Sequence, residues 1–334
     1  MLYSRTISTL LTSVFVLTFA HGARGEDLTL ASYNQTLRQA LTFSDQRDFD
    51  HASSVLQQAL DHLTTPEHVQ WEATILSFLG SVYQRAGRYS DAEQVLNKSI
   101  RELTQLKGPQ SPGLIGPLAN LGALYYEAGQ VSKAEQFLGK ALELQRANDK
   151  ADPSLTAMLL TNLGSIHFSE HKNALAQANA EEALQKFEIA PDTGAEFREG
   201  TARNYALLGA VSMEGRRDKE AENYLHKALD IWNAVAGPDD PRRAEALANL
   251  GIFYSTTGDL EKSEDLFKQA HAVFENIGGD NAFIQHFLAE YYGVEQKLGH
   301  KKQAKLLSKQ LQHISTVSAQ NTISRDVIDA SAFR

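Results

Sequence analysis

One arrangement of apolar, small and turn-forming positions recurs about seven times along the chain. Its clearest copy, residues 237–274, reads GPDDP followed by RRAEALANLGIFYSTTGDLEKSEDLFKQAHAVF. Apolar residues recur there at intervals of three and four on both sides of a turn at Gly258, which is the spacing of amphipathic helices. The pattern therefore predicts a unit made of an extended loop and two helices.

A small residue in the first helix of the unit, Gly251, marks the same position in every copy. We call this position the small slot and number the other positions from it. Intervals of 40, 42, 42, 45, 42 and 41 residues separate its occupants, which are Ala40, Gly80, Gly122, Gly164, Gly209, Gly251 and Tyr292. A period of this length is typical of solenoids, in which stacked units bury one continuous core.

Three further positions recur at fixed distances from the small slot. Seven residues later stands a turn position, where glycine suits a helix end with positive φ; its glycines are Gly87, Gly129, Gly258 and Gly299. Twelve residues later a small residue lets the second helix cross the first closely, and these residues are Ala52, Ala92, Ala134, Ala176, Ala221, Ser263 and Ala304. Sixteen residues later the same face carries a large apolar side chain at Leu56, Leu96, Leu138, Leu225 and Phe267.

These offsets resemble the tetratricopeptide repeat, which pairs a helix at the small slot with a helix at the alanine position. The period of about 42 residues, together with segments such as NLGALYYEAG and NLGIFYSTTG, is similar to the kinesin light chain subtype. GPDDP at 237–241 matches the loop between repeats of that subtype. The resemblance covers about residues 28–315 and implies an all-α fold, a right-handed superhelix (α-solenoid) of about seven helix-turn-helix repeats.

The chain departs from the repeat pattern at three places. His171 replaces the turn glycine in repeat 4, and Tyr292 fills the small slot of repeat 7. In repeat 5, Ser212 stands at the aromatic position, three residues after the small slot; that position is aromatic in other repeats, as at Tyr83, Tyr125 and Tyr254. The longest interval contains IAPDTGAEF at 189–197, which predicts a longer loop.

The ends of the chain differ from the repeats. An apolar run of 14 residues, 7–20, follows Arg5 and precedes small residues, which predicts a signal peptide over 1–25 cut near Gly22 to Gly25. We therefore expect an exported protein, periplasmic or secreted, with an uncleaved membrane anchor as the alternative. Residues 26–315 form the predicted solenoid. The tail, 316–334, lacks the repeat pattern and is expected to be flexible or to dock on the last repeat or in a groove.

Composition and charge exclude several classes of function. The chain is 42% hydrophobic and carries a formal net charge of −9, which argues against nucleic-acid binding because that needs a concentrated basic face. It contains no cysteine, so disulfides and thiolate metal sites are excluded. No cofactor-binding motif is recognised, and no cofactor is predicted. Once the signal is cleaved, we expect no stable insertion into a membrane.

The resemblance implies that a partner binds the concave face lined by the first helices. Two residues before the small slot stand Asn120, Asn162 and Asn249. An amide is both donor and acceptor, so a row of asparagines can pair with the backbone of an extended peptide. The alternative is that each asparagine bonds only a neighbouring helix. On the same face, the further candidates for contact with a peptide are Arg85, Tyr126, Phe168, Arg203 and Met213.

The sequence therefore predicts a non-enzymatic interaction scaffold or adaptor, whose protein or peptide partner it does not identify. A second hypothesis is a zinc hydrolase, because His167-x-x-Glu170-His171 matches the H-x-x-E-H pattern of one protease class. Against it, His167 occupies the aromatic position and His171 the turn position of repeat 4. A third hypothesis is a structural envelope subunit that assembles through its ends or convex face.

Overall fold

In the computed structural model of the chain, the structure describes residues 27–61, 63, 69–190, 194–277 and 282–314. Across these ranges the fold is all-α, and no β-strand occurs. A single turn of 3-10 helix, Pro112–Leu114, precedes α5. The α-helices are α1 Asp27–Asp45, α2 Phe49–Asp61, α3 Val69–Arg85, α4 Tyr89–Lys107, α5 Ile115–Glu127, α6 Val131–Arg146, α7 Pro153–Ser169, α8 Asn173–Ile189, α9 Ala195–Glu214, α10 Asp218–Val235, α11 Pro241–Thr257, α12 Leu260–Ile277, α13 Ala282–Leu298 and α14 over 301–314.

The chain divides into two compact units. The N-terminal unit contains the described residues up to Ile166 together with Glu188–Ala190, and the C-terminal unit contains His167–Phe187 and the described residues from 194 onward. In the N-terminal unit α3 packs on α4 and α5 on α6, while α5 also contacts α4 and α3. In the C-terminal unit α9 packs on α10 and α11 on α12, while α11 also contacts α10 and α13. Within each unit, these helix pairs thus contact their neighbours in sequence.

The loops before α11 and α9 differ in how closely they follow the sequence pattern. Asp240 caps α11 at the end of the GPDDP loop by accepting a hydrogen bond from the Arg242 amide at 2.8 Å. The predicted loop over 189–197 is wrong in length, because α9 already begins at Ala195 after Gly194. The predicted signal peptide and tail lie outside the described residues.

The small slot is a point of close approach between the two helices of a repeat. A Cβ atom added to Gly122 would lie 2.6 Å from Leu138 Cγ, and one added to Gly251 would lie 2.6 Å from the Phe267 ring. Neither neighbour can move freely, because Leu138 and Phe267 are fully buried. The structure thus explains the small slot: the large residue sixteen positions later packs directly against it.

The turn position adopts a left-handed backbone in all seven repeats. The prediction of positive φ was made for the glycines, and the structure extends it to three residues with side chains. Arg47, His171 and Arg216 have φ between 54° and 61°, a conformation that side chains disfavour. The repeat geometry therefore imposes the turn even where the residue does not favour it.

The tyrosine at the aromatic position links repeat 3 to repeat 2 and repeat 6 to repeat 5. The Tyr125 hydroxyl donates to Glu93 at 2.6 Å in the N-terminal unit, and the Tyr254 hydroxyl donates to Glu222 at 2.7 Å in the C-terminal unit. Each glutamate stands thirteen residues after the small slot of the preceding repeat. Burial, with the bond to the glutamate, raises the pKa of both tyrosines to about 12, so the hydroxyl remains a donor at physiological pH.

Candidate functional site

The candidate residues lie on the first helices, and they divide between the two units. We define the first-helix face by the positions six and two residues before the small slot and one, four and five residues after it. In the N-terminal unit this face carries Arg85, Asn120, Tyr126 and Asn162. In the C-terminal unit it carries Phe168, Arg203, Met213 and Asn249.

The amide of Asn120 is used inside the fold. Asn120 on α5 is 2% exposed, and its Nδ2 donates to both the backbone oxygen and the hydroxyl of Ser77 on α3, each at 3.2 Å. Its Oδ1 is buried without a hydrogen-bond partner. Asn120 therefore ties two neighbouring first helices together, as the alternative interpretation of the asparagine row expects.

Asn162 and Asn249 differ from Asn120 and from each other. Asn162 on α7 is fully buried and lies beneath the surface of the first-helix face. Asn249 on α11 is half-buried, and its side chain makes no hydrogen bond to any described residue. Only Asn249 thus combines access to solvent with an amide whose donor and acceptor are both uncommitted.

Arg85 is held at the end of α3 by residues of the preceding repeat. Its Nη1 donates to the Ser44 hydroxyl at 2.6 Å and lies 3.6 Å from the Asp45 carboxylate. The guanidinium also stands over the Phe49 ring, 5.5 Å from its centroid. Through these contacts Arg85 joins α3 to the first repeat.

Tyr126, four residues after the small slot, is half-buried on the same face.

The two apolar candidates in the C-terminal unit are placed differently. Phe168 is 1% exposed and belongs to a core cluster with Ala176, Ala180 and Val211, so it offers no apolar pocket to a ligand. Ala180 stands where other repeats carry leucine or phenylalanine, and the smaller residue leaves room for the Phe168 ring. Met213 is half-buried against the neighbouring core cluster and keeps part of its side chain at the surface.

A carboxyl group with a strongly shifted pKa lies beside Asn249 in sequence. Glu245 on α11 stands six residues before the small slot, as Arg203 does on α9. Burial raises the pKa of Glu245 to about 8, and the nearby Arg203 charge only partly opposes the shift. The carboxyl is therefore largely protonated at neutral pH and can donate a hydrogen bond. Its repeat position places Glu245 on this face, but the sequence does not reveal its burial.

The same row continues on α13 with His286. Its Nε2 lies 3.9 Å from the Glu290 carboxylate, beyond hydrogen-bond distance, and has no hydrogen-bond partner. Burial lowers the pKa of His286, although the Glu290 charge opposes this shift. Arg203, Glu245 and His286 thus place three ionisable groups at equivalent positions of successive first helices in the C-terminal unit.

The histidines of the H-x-x-E-H pattern do not form a chelating pair. His167 is 9% exposed, and its Nδ1 lies 3.0 Å from the Asn179 amide. Helix α7 ends at Ser169, and His171 then adopts a φ of 59° with its Nδ1 3.9 Å from Glu214. Because the two histidines do not share a continuous helix face, the zinc-hydrolase hypothesis loses the geometry on which it depends.

The side chains that do approach as metal ligands were not predicted from the sequence. Glu264, Glu295 and His300 bring their ligand atoms within 4.8 Å of one another. They come from α12, α13 and the residue before α14, so no short motif marks them. One signal in the sequence was available: Glu295 occupies the aromatic position of repeat 7.

Comparison with known proteins agrees with this architecture. A family model described as the tetratricopeptide repeat matches residues 71–147 and 200–276. No curated protein matches the chain.

None of the helices in the described ranges is both long and apolar enough to cross a membrane.

Several solved structures share the fold. BtubC (BKLC) from P. vanneervenii is 21% identical, with 77% of this chain and 94% of that chain covered at a TM-score of 0.51. The apo form of RapI is 15% identical, with 84% and 76% covered at a TM-score of 0.59. A putative kinesin light chain repeat protein from Podosopora anserina is 16% identical, with 64% and 99% covered at a TM-score of 0.51.

Identities this low establish a shared fold but do not indicate a shared role. The fold itself is typically non-enzymatic, and proteins built on it commonly serve as protein-interaction scaffolds. The seven-fold recurrence of the small slot, the left-handed turn and the helix pairs agrees with the family match and with the solved structures. The chain is therefore a tetratricopeptide repeat protein.

Proposed function

We propose that this protein is an exported, non-enzymatic scaffold that binds an extended peptide segment of a protein partner on the first-helix face of its C-terminal unit. One observation carries the proposal. Asn249 is half-buried on that face, and its amide makes no hydrogen bond to a described residue. An extended backbone presents an N–H donor and a carbonyl acceptor, which the amide satisfies together.

The neighbours of Asn249 support a peptide ligand. Glu245 lies one helical turn earlier and, with a pKa of about 8, is largely protonated at neutral pH, so it can donate to a peptide carbonyl. Met213 supplies apolar surface on the preceding first helix, and methionine side chains adapt to varied ligand shapes. This face therefore offers backbone recognition with little demand on the partner's side chains.

The N-terminal unit has a different role in this proposal. Asn120 and Arg85 are bonded to neighbouring helices, and Asn162 is buried, as Phe168 is in the C-terminal unit. We therefore assign peptide contact first to Asn249, Glu245, Arg203 and Met213. The export part of the proposal has separate support in the apolar run at 7–20. N-terminal sequencing of the native protein, with a new terminus near residues 22–26, tests that part.

Peptides selected from a displayed random library against the purified chain provide a defined ligand for the test. With a synthetic selected peptide, Asn249→Ala is expected to weaken binding about tenfold, because two hydrogen bonds are lost. Asn223→Ala is the matched control, since Asn223 is exposed on the second helix α10. Equal affinities of the wild-type chain and Asn249→Ala for every selected peptide would refute the assignment.

A further inference from the structure

The last repeat changes the chemistry of the aromatic position. In repeats 3 and 6 a tyrosine there donates to a glutamate of the preceding repeat, as Tyr254 does to Glu222. In repeat 7 the position holds Glu295, while the preceding repeat still supplies its glutamate, Glu264. A donor–acceptor pair is thereby replaced by two carboxylates that face each other.

Both carboxylates are buried and meet at one histidine. Glu264 is 9% exposed and Glu295 is fully buried. His300 Nδ1 lies 2.9 Å from Glu264 Oε1 and 3.0 Å from Glu295 Oε2. One Nδ1 proton cannot complete a strong hydrogen bond to both oxygens at once. At the point between the three side chains, the positive charge is therefore too small to balance the two carboxylates.

A second observation points to the same place. The other oxygen of the buried carboxylate, Glu295 Oε1, has no hydrogen-bond partner, and a buried carboxylate without partners is costly. Lys268 Nζ lies 2.7 Å from Glu264 Oε1, and its side chain is half exposed. The lysine therefore forms its ion pair with Glu264, the more exposed of the two carboxylates.

We propose that Glu264, Glu295 and His300 bind a divalent transition-metal ion, of which Zn²⁺ is the preferred example. Zinc takes imidazole nitrogen and carboxylate oxygen at about 2.0–2.2 Å, which sets tetrahedral ligand atoms about 3.3–3.6 Å apart. The observed 2.9 and 3.0 Å separations need only a small outward movement. Water completes the coordination, and Lys268 gives up its contact with Glu264.

The site is accessible and lies where it fastens the end of the solenoid. It opens into a cavity of about 650 Å³ that Tyr291, Lys268 and His300 help to line. Its ligands belong to α12, α13 and the residue that precedes α14. Because metal bound only in the folded state stabilises that state, the ion joins the terminal helix to the repeat before it.

Zinc titration of the purified chain without a polyhistidine tag tests the proposal. We expect one Zn²⁺ per chain, and an affinity lowered at least about 100-fold by His300→Ala and by the nearly isosteric Glu295→Gln, since a direct ligand outweighs the roughly 10- to 100-fold effect of an outer partner. Circular dichroism verifies that both variants fold. His51→Ala is the control, because His51 is exposed on α2, where it pairs with the single carboxylate of Asp48 and stacks on the Phe43 ring. Sub-stoichiometric zinc, or equal binding by His300→Ala, overturns the site.

Lys268→Ala separates metal binding from a purely structural ion-pair network. If the metal and the lysine compete for Glu264, this substitution raises zinc affinity several-fold; an unchanged or lower affinity overturns the proposed ligand set. Zinc should also raise the melting temperature of the wild-type chain but not that of Glu295→Gln. Co²⁺ serves as the spectroscopic probe, with visible absorption of a four-coordinate ion expected in the wild type and absent in His300→Ala.

Discussion

Asparagine stands two residues before the small slot in both units, but its surroundings differ. Asn120 in the N-terminal unit is buried and donates to Ser77 on the neighbouring first helix. Asn249 in the C-terminal unit is half-buried, with no hydrogen bond to a described residue. The identical residue at an identical slot thus supports packing in one unit and remains available for recognition in the other.

The charged residues of the two faces differ in the same sense. Arg85 is satisfied by Ser44 and Asp45 of the first repeat. In the C-terminal unit, burial of Glu245 raises its pKa to about 8 despite the Arg203 charge. The position of a residue in the repeat predicts the face on which it lies. The residues that contact it determine whether its polar groups already have hydrogen-bond partners. The following experiments test this contrast.

The largest effect is expected at the small slot, where the two units should behave alike. Gly122→Ala in the N-terminal unit and Gly251→Ala in the C-terminal unit each place a Cβ 2.6 Å from a buried side chain. We expect each to lower the free energy of unfolding by about 1–3 kcal/mol through overpacking. Denaturant unfolding of the purified variants measures the loss.

Two helical glycines without near neighbours serve as controls. An added Cβ meets nothing within 4 Å at Gly139 on α6 or at Gly293 on α13. Alanine at either position should stabilise the chain by about 0.5–1 kcal/mol because glycine weakens a helix interior. A Gly251→Ala variant as stable as Gly293→Ala would show that close helix crossing does not determine the slot.

The next effect distinguishes the C-terminal face by pH. The folded pKa of Glu245, about 8, lies above its ordinary value of 4.5, so the folded chain binds more protons than the unfolded chain between these values. This contribution to stability is full below pH 4.5 and is lost as the pH rises to 8. Glu245→Gln should therefore raise the free energy of unfolding at pH 8 by at least about 1 kcal/mol.

Unfolding measured from pH 5 to pH 8 provides the readout for Glu245→Gln. Its advantage over the wild type should grow steadily across that range. Glu188→Gln, at an exposed position on α8, removes one charge without removing a buried group and should give no such trend. A constant difference between Glu245→Gln and the wild type at all pH values would contradict the assigned burial of the carboxyl.

A smaller effect on stability separates the two asparagines. Asn120→Ala breaks the bonds to Ser77 and should cost about 1 kcal/mol, while Asn249→Ala should change the unfolding free energy by less than about 0.5 kcal/mol. For peptide binding we expect the opposite order. Paired measurements of unfolding and peptide affinity on both variants test this exchange. Equal destabilisation by the two substitutions would show that the asparagines do not differ in their contribution to stability as their contacts indicate.

The smallest effect is expected at the turn position. Arg47→Gly and Arg216→Gly relieve a left-handed φ in one residue of each unit, and each should stabilise the chain by about 0.5–1 kcal/mol. Thermal unfolding measures the gain. Gly87→Ala, with a φ of 75°, is the converse control and should destabilise by a similar amount. A loss of stability in both arginine variants would mean that their side-chain contacts outweigh the backbone strain.

The sequence predicted the fold well because the repeat slots are geometric requirements. Gly122 and Gly251 sit against the residues sixteen positions later, and His171 takes the left-handed turn despite its side chain. Phe168 was predicted as a candidate for contact with a peptide, but it lies in the core. Its burial depends on the smaller Ala180 packed in the same cluster, a compensation between two helices that periodicity does not reveal.

The candidate sites were less predictable because they depend on burial and on contacts between repeats. The asparagine row was visible in the sequence, but the commitment of Asn120 to Ser77 was not. Glu264, Glu295 and His300 span 37 residues without a local motif. In the sequence, only Glu295 at the aromatic position, where other repeats carry tyrosine, indicated that this repeat differs. The side chains that surround Glu295 are visible only in the structure.

The tyrosine–glutamate bonds between successive repeats also fix the alignment of the helices. Leucine and alanine contacts tolerate sliding, because one apolar surface packs nearly as well one turn further along, about 5.4 Å away. A slide of that size would separate the Tyr125 hydroxyl from Glu93, and likewise Tyr254 from Glu222. Apolar burial therefore holds neighbouring repeats together. The hydroxyl–carboxylate hydrogen bonds select one alignment of the helices along their axes among several that pack similarly.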